Sequence, residues 1–143
     1  MIVKIKELRE GFTPVYKHTT DACCDCFANL KEPLYIENGF TVKIPLGFAV
    51  EIPVGYEGIT KGRSGLNSKG FILQIGCIDP GYTGEVNAIV TNLTGQIFIV
   101  NPGDRICQFK IQESEKIFFD KVDTLADSER GEKGFGSSGV KRW

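Results

Sequence analysis

Sixteen of the chain's 23 glycines and prolines fall between Gly39 and Gly103, seldom more than about ten residues apart. A helix of ordinary length runs about 11–12 residues and tolerates neither residue well in its interior, so this stretch has no comfortable place for one. The runs between the breaks alternate apolar with polar or small residues: Phe40, Val42 and Ile44, then Phe48, Val50 and Ile52, with Pro45-Leu46-Gly47 and Pro53-Val54-Gly55 as turns. Val3 and Ile5 near the start, and Cys107, Phe109 and Ile111 later, repeat the same period of two, which is the pattern of half-buried strands. The expected fold is all-β, a sandwich or barrel-like subunit with at most short helices, one of them over Ser64–Lys69. The longest stretch free of Gly and Pro, Asp104–Arg130, reads as a strand followed by loop or a short turn of helix. The last fourteen residues, RGEKGFGSSGVKRW, carry four glycines and read as a mobile tail.

Charge narrows the function. Seventeen Lys and Arg nearly cancel 18 Asp and Glu, so there is no global basic field to hold a long nucleic acid, and an apolar share of 41% argues against disorder. An anionic ligand must be held by a local cluster. No apolar run approaches the ~20 residues of a bilayer span, and MIVKIKELRE alternates charge with apolar residues instead of building a signal-peptide core. The expectation is an intracellular protein with no membrane partner.

The five cysteines fit that compartment. Cys23, Cys24 and Cys26 are too crowded to pair readily with one another, and Cys77, Cys107 and His18 are isolated residues without the second paired spacing of a zinc site. The C-x-x-C formed by Cys23 and Cys26 is not followed by the helical pattern of a thioredoxin-type motif. The cysteines read as small apolar residues of a buried strand. Asp25, lying among them, needs a paired cation if that strand is buried. His18 reads as a surface or capping residue.

Three strings have chemical potential. Gly62-Arg63-Ser64-Gly65 brings amides, a hydroxyl and a guanidinium together; its alternative is a tight turn with a surface arginine. Asp79-Pro80-Gly81-Tyr82 reads as a turn, and its carboxylate is alternatively a general base, with Tyr82 placed to lie against a sugar or base. Gly134-Phe135-Gly136-Ser137-Ser138-Gly139 spells G-x-G-x-x-G, but only four residues follow it, which excludes the dinucleotide-binding context. What it retains is a backbone that can approach a phosphate, two hydroxyls, and the nearby cations Arg130 and Lys133.

Taken in order, five strings resemble the motifs of the trimeric dUTPase family. Ala22-Cys23-Cys24-Asp25-Cys26 is similar to A-G-x-D-L, and Gly62-Arg63-Ser64-Gly65-Leu66 to G-R-S-G-L. Gly76 to Val86 is similar to G-x-I-D-x-x-Y-x-G-E-V, and Gly103-Asp104-Arg105-Ile106-Cys107-Gln108 to G-D-R-I-x-Q. Arg130 to Gly139 resembles R-G-x-x-G-F-G-S-T-G. Departures concentrate in the first motif, where Cys23 and Cys26 replace Gly and Leu while Asp25 is kept; Ser138 replaces Thr and retains a hydroxyl.

The resemblance implies a β-clip, or distorted jelly-roll, domain over residues 1–129 and a C-terminal arm over 130–143 that closes over a neighbour's site in a homotrimer. It implies hydrolysis of dUTP to dUMP and pyrophosphate, which would limit uracil incorporation into DNA and supply dUMP for dTMP synthesis. Asp79 would activate water for attack on the α-phosphorus, and Tyr82 would pack on the deoxyribose and exclude a 2′-hydroxyl. Backbone near Asn87 and Ile89 would read uracil, and Phe135 would stack on it. Arg63, Ser64, Gly65, Gln108, Arg130, Gly136, Ser137 and Ser138 would hold the triphosphate, with Asp25, Asp104 and Arg105 in support. Mg2+ would be held mainly by phosphate oxygens and water, without dedicated protein ligands.

Two rivals remain at this level. The related dCTP deaminases share the look of Asp79–Gly84 but place a catalytic Glu ten residues after the Asp, where this chain has Ile89. A catalytically idle β-domain that binds a protein partner is disfavoured by Asp79, Tyr82 and Phe135 occurring together.

Overall fold

The computed structural model describes residues 1–134 and 139. It is built almost entirely from short antiparallel strands: β1 (Lys4–Glu7), β2 (Cys24–Phe27), β3 (Leu34–Ile36), β4 (Thr41–Pro45), β5 (Phe48–Glu51), β6 (Tyr56–Gly62), β7 (Phe71–Leu73), β8 (Gly76–Ile78), β9 (Asn87–Asn92), β10 (Phe98–Val100) and β11 (Arg105–Glu113). The predicted short helix is a single turn, α1 (Ser64–Asn67). Four sheets form, β2-β11-β6-β8, β4-β9-β7, β1-β5 and β3-β10, so most neighbours are distant in sequence, as in a jelly-roll-like β-clip.

The two larger sheets supply inward faces of alternate residues: Ile44 from β4, Ala88 and Val90 from β9, Cys107 and Phe109 from β11, with Phe48 at the centre. Phe48 is fully buried and meets Phe109 edge to face, ring centroids 5.7 Å apart. Among the described residues no helix is long and apolar enough to cross a membrane.

The structure corrects several details of the strand pattern. Val3 packs on the core, but it lies before β1, and Ile5 within β1 is exposed. Phe40 is exposed as well, because β4 starts one residue later. Ile52 is buried just past the end of β5, and Ala49 is buried too, so that strand does not alternate. The apolar run Phe71–Ile78 is two strands: β7 joins β9, β8 joins β6, and the chain changes sheet at Gln74 and the exposed Ile75. Of the clustered cysteines only Cys26 is fully buried; Cys23 and Cys24 are half-buried. Cys26 faces Cys107 directly across the β2–β11 ladder. The neighbouring thiol and burial push the Cys26 thiol far above its ordinary range, so it is protonated and serves as packing. After β11, residues 114–130 form no regular element.

Gly70 is fixed by backbone crowding as well as by φ. Gly70 follows α1 at φ 91°, and a Cβ there would lie 2.6 Å from the carbonyl oxygen of Leu93. Gly55 also has positive φ, 88°, with nothing within 4 Å of its Cβ position. Gly70→Ala is therefore expected to lower the unfolding free energy by more than Gly55→Ala, which loses about 1–3 kcal/mol through backbone strain alone. Urea denaturation of the two variants checks the order.

Candidate functional site

The site is assembled around one buried carboxylate. Asp25 on β2 is 6% exposed, and its oxygens are met from two other elements. Arg105, at the start of β11, donates from Nη1 to Oδ2 at 3.0 Å, and Gln108 donates from Nε2 to Oδ1 at 3.3 Å. Arg63, at the end of β6, brings Nε to 3.4 Å from Oδ1 and donates from Nη1 to the Arg105 carbonyl at 2.9 Å. The cation expected for Asp25 is thus two arginines. A carboxylate out of water keeps its charge only with such partners, and here they fix both guanidinium planes.

The strand register explains the convergence. Gln108 pairs with Asp25 on one side and with Lys61 on the other, so β11 lies between β2 and the chain entering Arg63. A Cβ at Gly62 would meet the Asn67 amide, so a larger residue there displaces that side chain. Ser64 and Gly65 follow on α1, both exposed, with open space around Gly65. One helical turn contributes little dipole, so anion binding falls to side chains and amides. Two cavities flank this cluster. One of about 320 Å³ is lined by Arg63, Ser64, Gly65, Leu66, Lys69 and Gln108. The other, of about 300 Å³, is lined by Lys17, His18, Asp21, Arg63, Arg105 and Gln108 among others.

The third motif sits elsewhere. Asp79 lies past the end of β8 on a turn closed by the Tyr82 N–H to the Asp79 carbonyl at 3.1 Å. Pro80 and Gly81, the latter at φ 91°, occupy the central positions that a type II turn assigns to proline and glycine. The Tyr82 hydroxyl donates to the Glu85 carbonyl at 3.0 Å, folding the ring over Gly84, where a Cβ would lie 2.6 Å from that hydroxyl. The Glu85 carboxylate accepts from Asn29 Nδ2 at 2.9 Å and from the Gly47 N–H at 2.8 Å, anchoring the loop to the turn between β4 and β5. Sequence reasoning gave Glu85 no role; its only signal was its place in the motif.

Asn87 opens β9 beyond the last β7 partner, Leu73 opposite Val90, so its backbone lies past that ladder's end. The Ile89 carbonyl accepts the Gln74 N–H at 2.9 Å and keeps a second lone pair. Asp79 lines a cavity of about 460 Å³ with Tyr56, Glu57, Cys77 and Pro80. Glu57 accepts from the Cys77 thiol at 3.0 Å, a contact that pushes that thiol up to about 11. Cys77 therefore stays protonated at neutral pH and does not compete as a nucleophile.

The remaining site residues divide. Asp104 accepts the Asn101 N–H at 2.8 Å and closes the turn between β10 and β11, a structural task. Arg130 donates to the Lys133 carbonyl at 2.9 Å, within its own segment and not toward Arg63. Phe135, Gly136, Ser137 and Ser138 lie outside the described residues. The decisive feature is a separation: the cavities beside Arg63 and the one beside Asp79 have no lining residue in common. Ile78 pairs with Gly58 near one end of β6, whereas Arg63 follows the other end. Gly58 and Gly62 alone are roughly 13 Å apart along a strand.

Comparison with known proteins gives the family. The family model for dUTPase matches residues 12–139. The deoxyuridine 5'-triphosphate nucleotidohydrolase of Orientia tsutsugamushi (strain Ikeda) is 40% identical over 148 aligned positions, covering 99% of this chain and all of the relative. The dUTPase of Staphylococcus bacteriophage 80alpha, solved with dUpNHpp, superposes with a TM-score of 0.81 at 30% identity, over 97% of this chain and 99% of that one. A mutant dUTPase from phage phi11 of S. aureus, whose structure reveals a structural Mg(II) ion, gives a TM-score of 0.76 at 25% identity, covering 87% of this chain and 99% of that one. With all five motif strings falling inside the matched span and the match running nearly end to end, the chain belongs to the dUTPase family.

Proposed function

We propose that the protein hydrolyses dUTP to dUMP and pyrophosphate at sites shared between the subunits of a homotrimer. The observation that carries the shared site is the separation just described: the arginine cluster and the Asp79 loop occupy different ends of β6. A nucleoside triphosphate needs both at once, which two copies of the chain supply and one does not. Past β11 the exposed side chains of Ile117, Phe118, Phe119, Val122 and Leu125, with Phe118 93% exposed, favour cover by another copy.

In this reading residues 1–129 form the catalytic domain and 130–143 the arm over a neighbour's site, with Arg130, Gly136, Ser137 and Ser138 on the phosphates and Phe135 on the base. Asp79 takes a proton from water, and the water oxygen bonds to the α-phosphorus. The bridging P–O bond to the β-phosphorus breaks, and pyrophosphate leaves. Arg63, Ser64, Gly65 and Gln108 hold the triphosphate, with Asp25 and Arg105 positioning Arg63. The Tyr82 ring packs on the deoxyribose where a 2′-hydroxyl has no room, and the backbone near Asn87 and Ile89 reads the uracil edge. Such an activity lowers the dUTP available to DNA synthesis and yields dUMP as a precursor of dTMP.

Among the described residues no three His, Cys, Asp or Glu side chains converge, and the phosphate cavities offer mainly cationic and amide groups. That donor set suits a Mg2+ carried on the triphosphate's own oxygens and water, where it neutralises phosphate charge.

With Mg2+ present, dUTP is expected to yield pyrophosphate while dTTP, dCTP and UTP are largely spared; ammonia from dCTP, or equal turnover of all four, contradicts the reading. Asp79→Asn is expected to bind dUTP while losing at least about 100-fold in rate. Mixing Asp79→Asn with Arg63→Ala, each inactive alone, is expected to restore activity by reassembling sites with one intact half from each chain; no recovery after confirmed subunit exchange counts against shared sites. Asp25→Asn is expected to raise KM and to cost about 1–3 kcal/mol, below the usual loss for a broken buried pair because both arginines are partly exposed.

A further inference from the structure

We propose that the loop bearing Lys17 and His18 completes the phosphate site and takes the terminal phosphate of the bound nucleotide, an inference that rests on the dUTP reading above. Arg63 and Gln108 line both cavities of the arginine cluster and so form the wall between them. A polyphosphate lying along Ser64 and Gly65 that continues past this wall enters the second cavity, whose lining includes Lys17 and His18.

That cavity carries three cations, Lys17, Arg63 and Arg105, against two carboxylates, Asp21 and Asp25. Asp25 is paired with both arginines, while Asp21 Oδ2 accepts the backbone N–H of His18 at 2.9 Å and keeps its own charge. Lys17 and His18 are exposed, and among the described residues neither has an ion-pair partner. The Lys17 ammonium is therefore available to a ligand, and the His18 ring offers an N–H donor.

The loop is also held in place before any ligand arrives. Val15 and Asp25 exchange backbone hydrogen bonds at 3.1 and 2.8 Å, which ties the loop's entrance to the residue that anchors both arginines. Within the loop, the Asp21 N–H donates to the His18 carbonyl at 3.1 Å and the Asp21 carboxylate returns the contact, closing a tight turn. A backbone held this way needs no ordering before the two side chains meet an oxyanion.

The test is phosphate-specific. In the slow Asp79→Asn full-length protein, dissociation constants are measured for dUTP, dUDP and dUMP, then again after Lys17→Gln and His18→Gln are added singly and together. The double change is expected to weaken dUTP about tenfold while dUDP and dUMP stay within about twofold. Lys31→Gln, removing an exposed lysine that lines neither cavity, is expected to change none of the three. Equal weakening of dUTP and dUDP, or no weakening of either, overturns the terminal-phosphate assignment while leaving the dUTP reading intact. A parent protein that binds none of the three nucleotides defeats the dUTP reading itself, and this inference with it.

Discussion

The Asp25 carboxylate is the contact on which the rest of the site depends. At an effective dielectric near 20, a charge pair at about 4 Å gains about 4 kcal/mol, and desolvating the ions consumes much of that. The cluster therefore contributes more to orientation than to net stability. Arg63, Arg105 and Gln108 come from chain segments up to 45 positions apart and are aimed by one buried acceptor. Without it, two like charges linked through the Arg105 carbonyl would repel, and neither guanidinium would keep a fixed direction.

The opposite end of the molecule is organised by a different means. Among the described residues no ion pair holds the Asp79 loop; its shape comes from the Pro80–Gly81 turn, the Tyr82 ring folded over Gly84, and the Glu85 carboxylate received by Asn29 and Gly47. A side chain at position 84 would push Tyr82 away from its acceptor. The loop thereby presents an exposed carboxylate and a flat aromatic face without spending a second buried charge.

The breaker spacing was enough to exclude long helices, and the period of two located the β4, β5 and β11 regions, because both are local properties. The need of Asp25 for a cation was also legible, since a buried carboxylate has few alternatives. Which cation was not, because Arg63 and Arg105 reach it only through the pairing of β2 with β11 and β11 with β6. The switch between sheets at Gln74 escaped detection for a related reason: Phe71–Ile78 is uniformly apolar apart from Gln74 and Gly76, and its two halves are told apart only by their partners β9 and β6. Likewise the motif strings named Arg63 and Asp79 together, but no one-dimensional pattern reveals that they sit at different ends of one strand.

That separation bears on how a chain of net charge −1 can handle a ligand carrying about four negative charges. Placing the cations beside the carboxylate proposed as the base, in one protomer, would invite Asp79 to pair with an arginine, and a paired carboxylate is a weaker base. With the two groups on separate ends of β6, each folds in its own environment: the arginines satisfied by Asp25, Asp79 left exposed. In the proposed trimer they meet only across a subunit boundary, where the triphosphate lies between them and its charge engages the arginines in place of Asp79. In that proposal assembly does more than bury apolar surface; it brings the proposed base and the cations together without letting them neutralise one another.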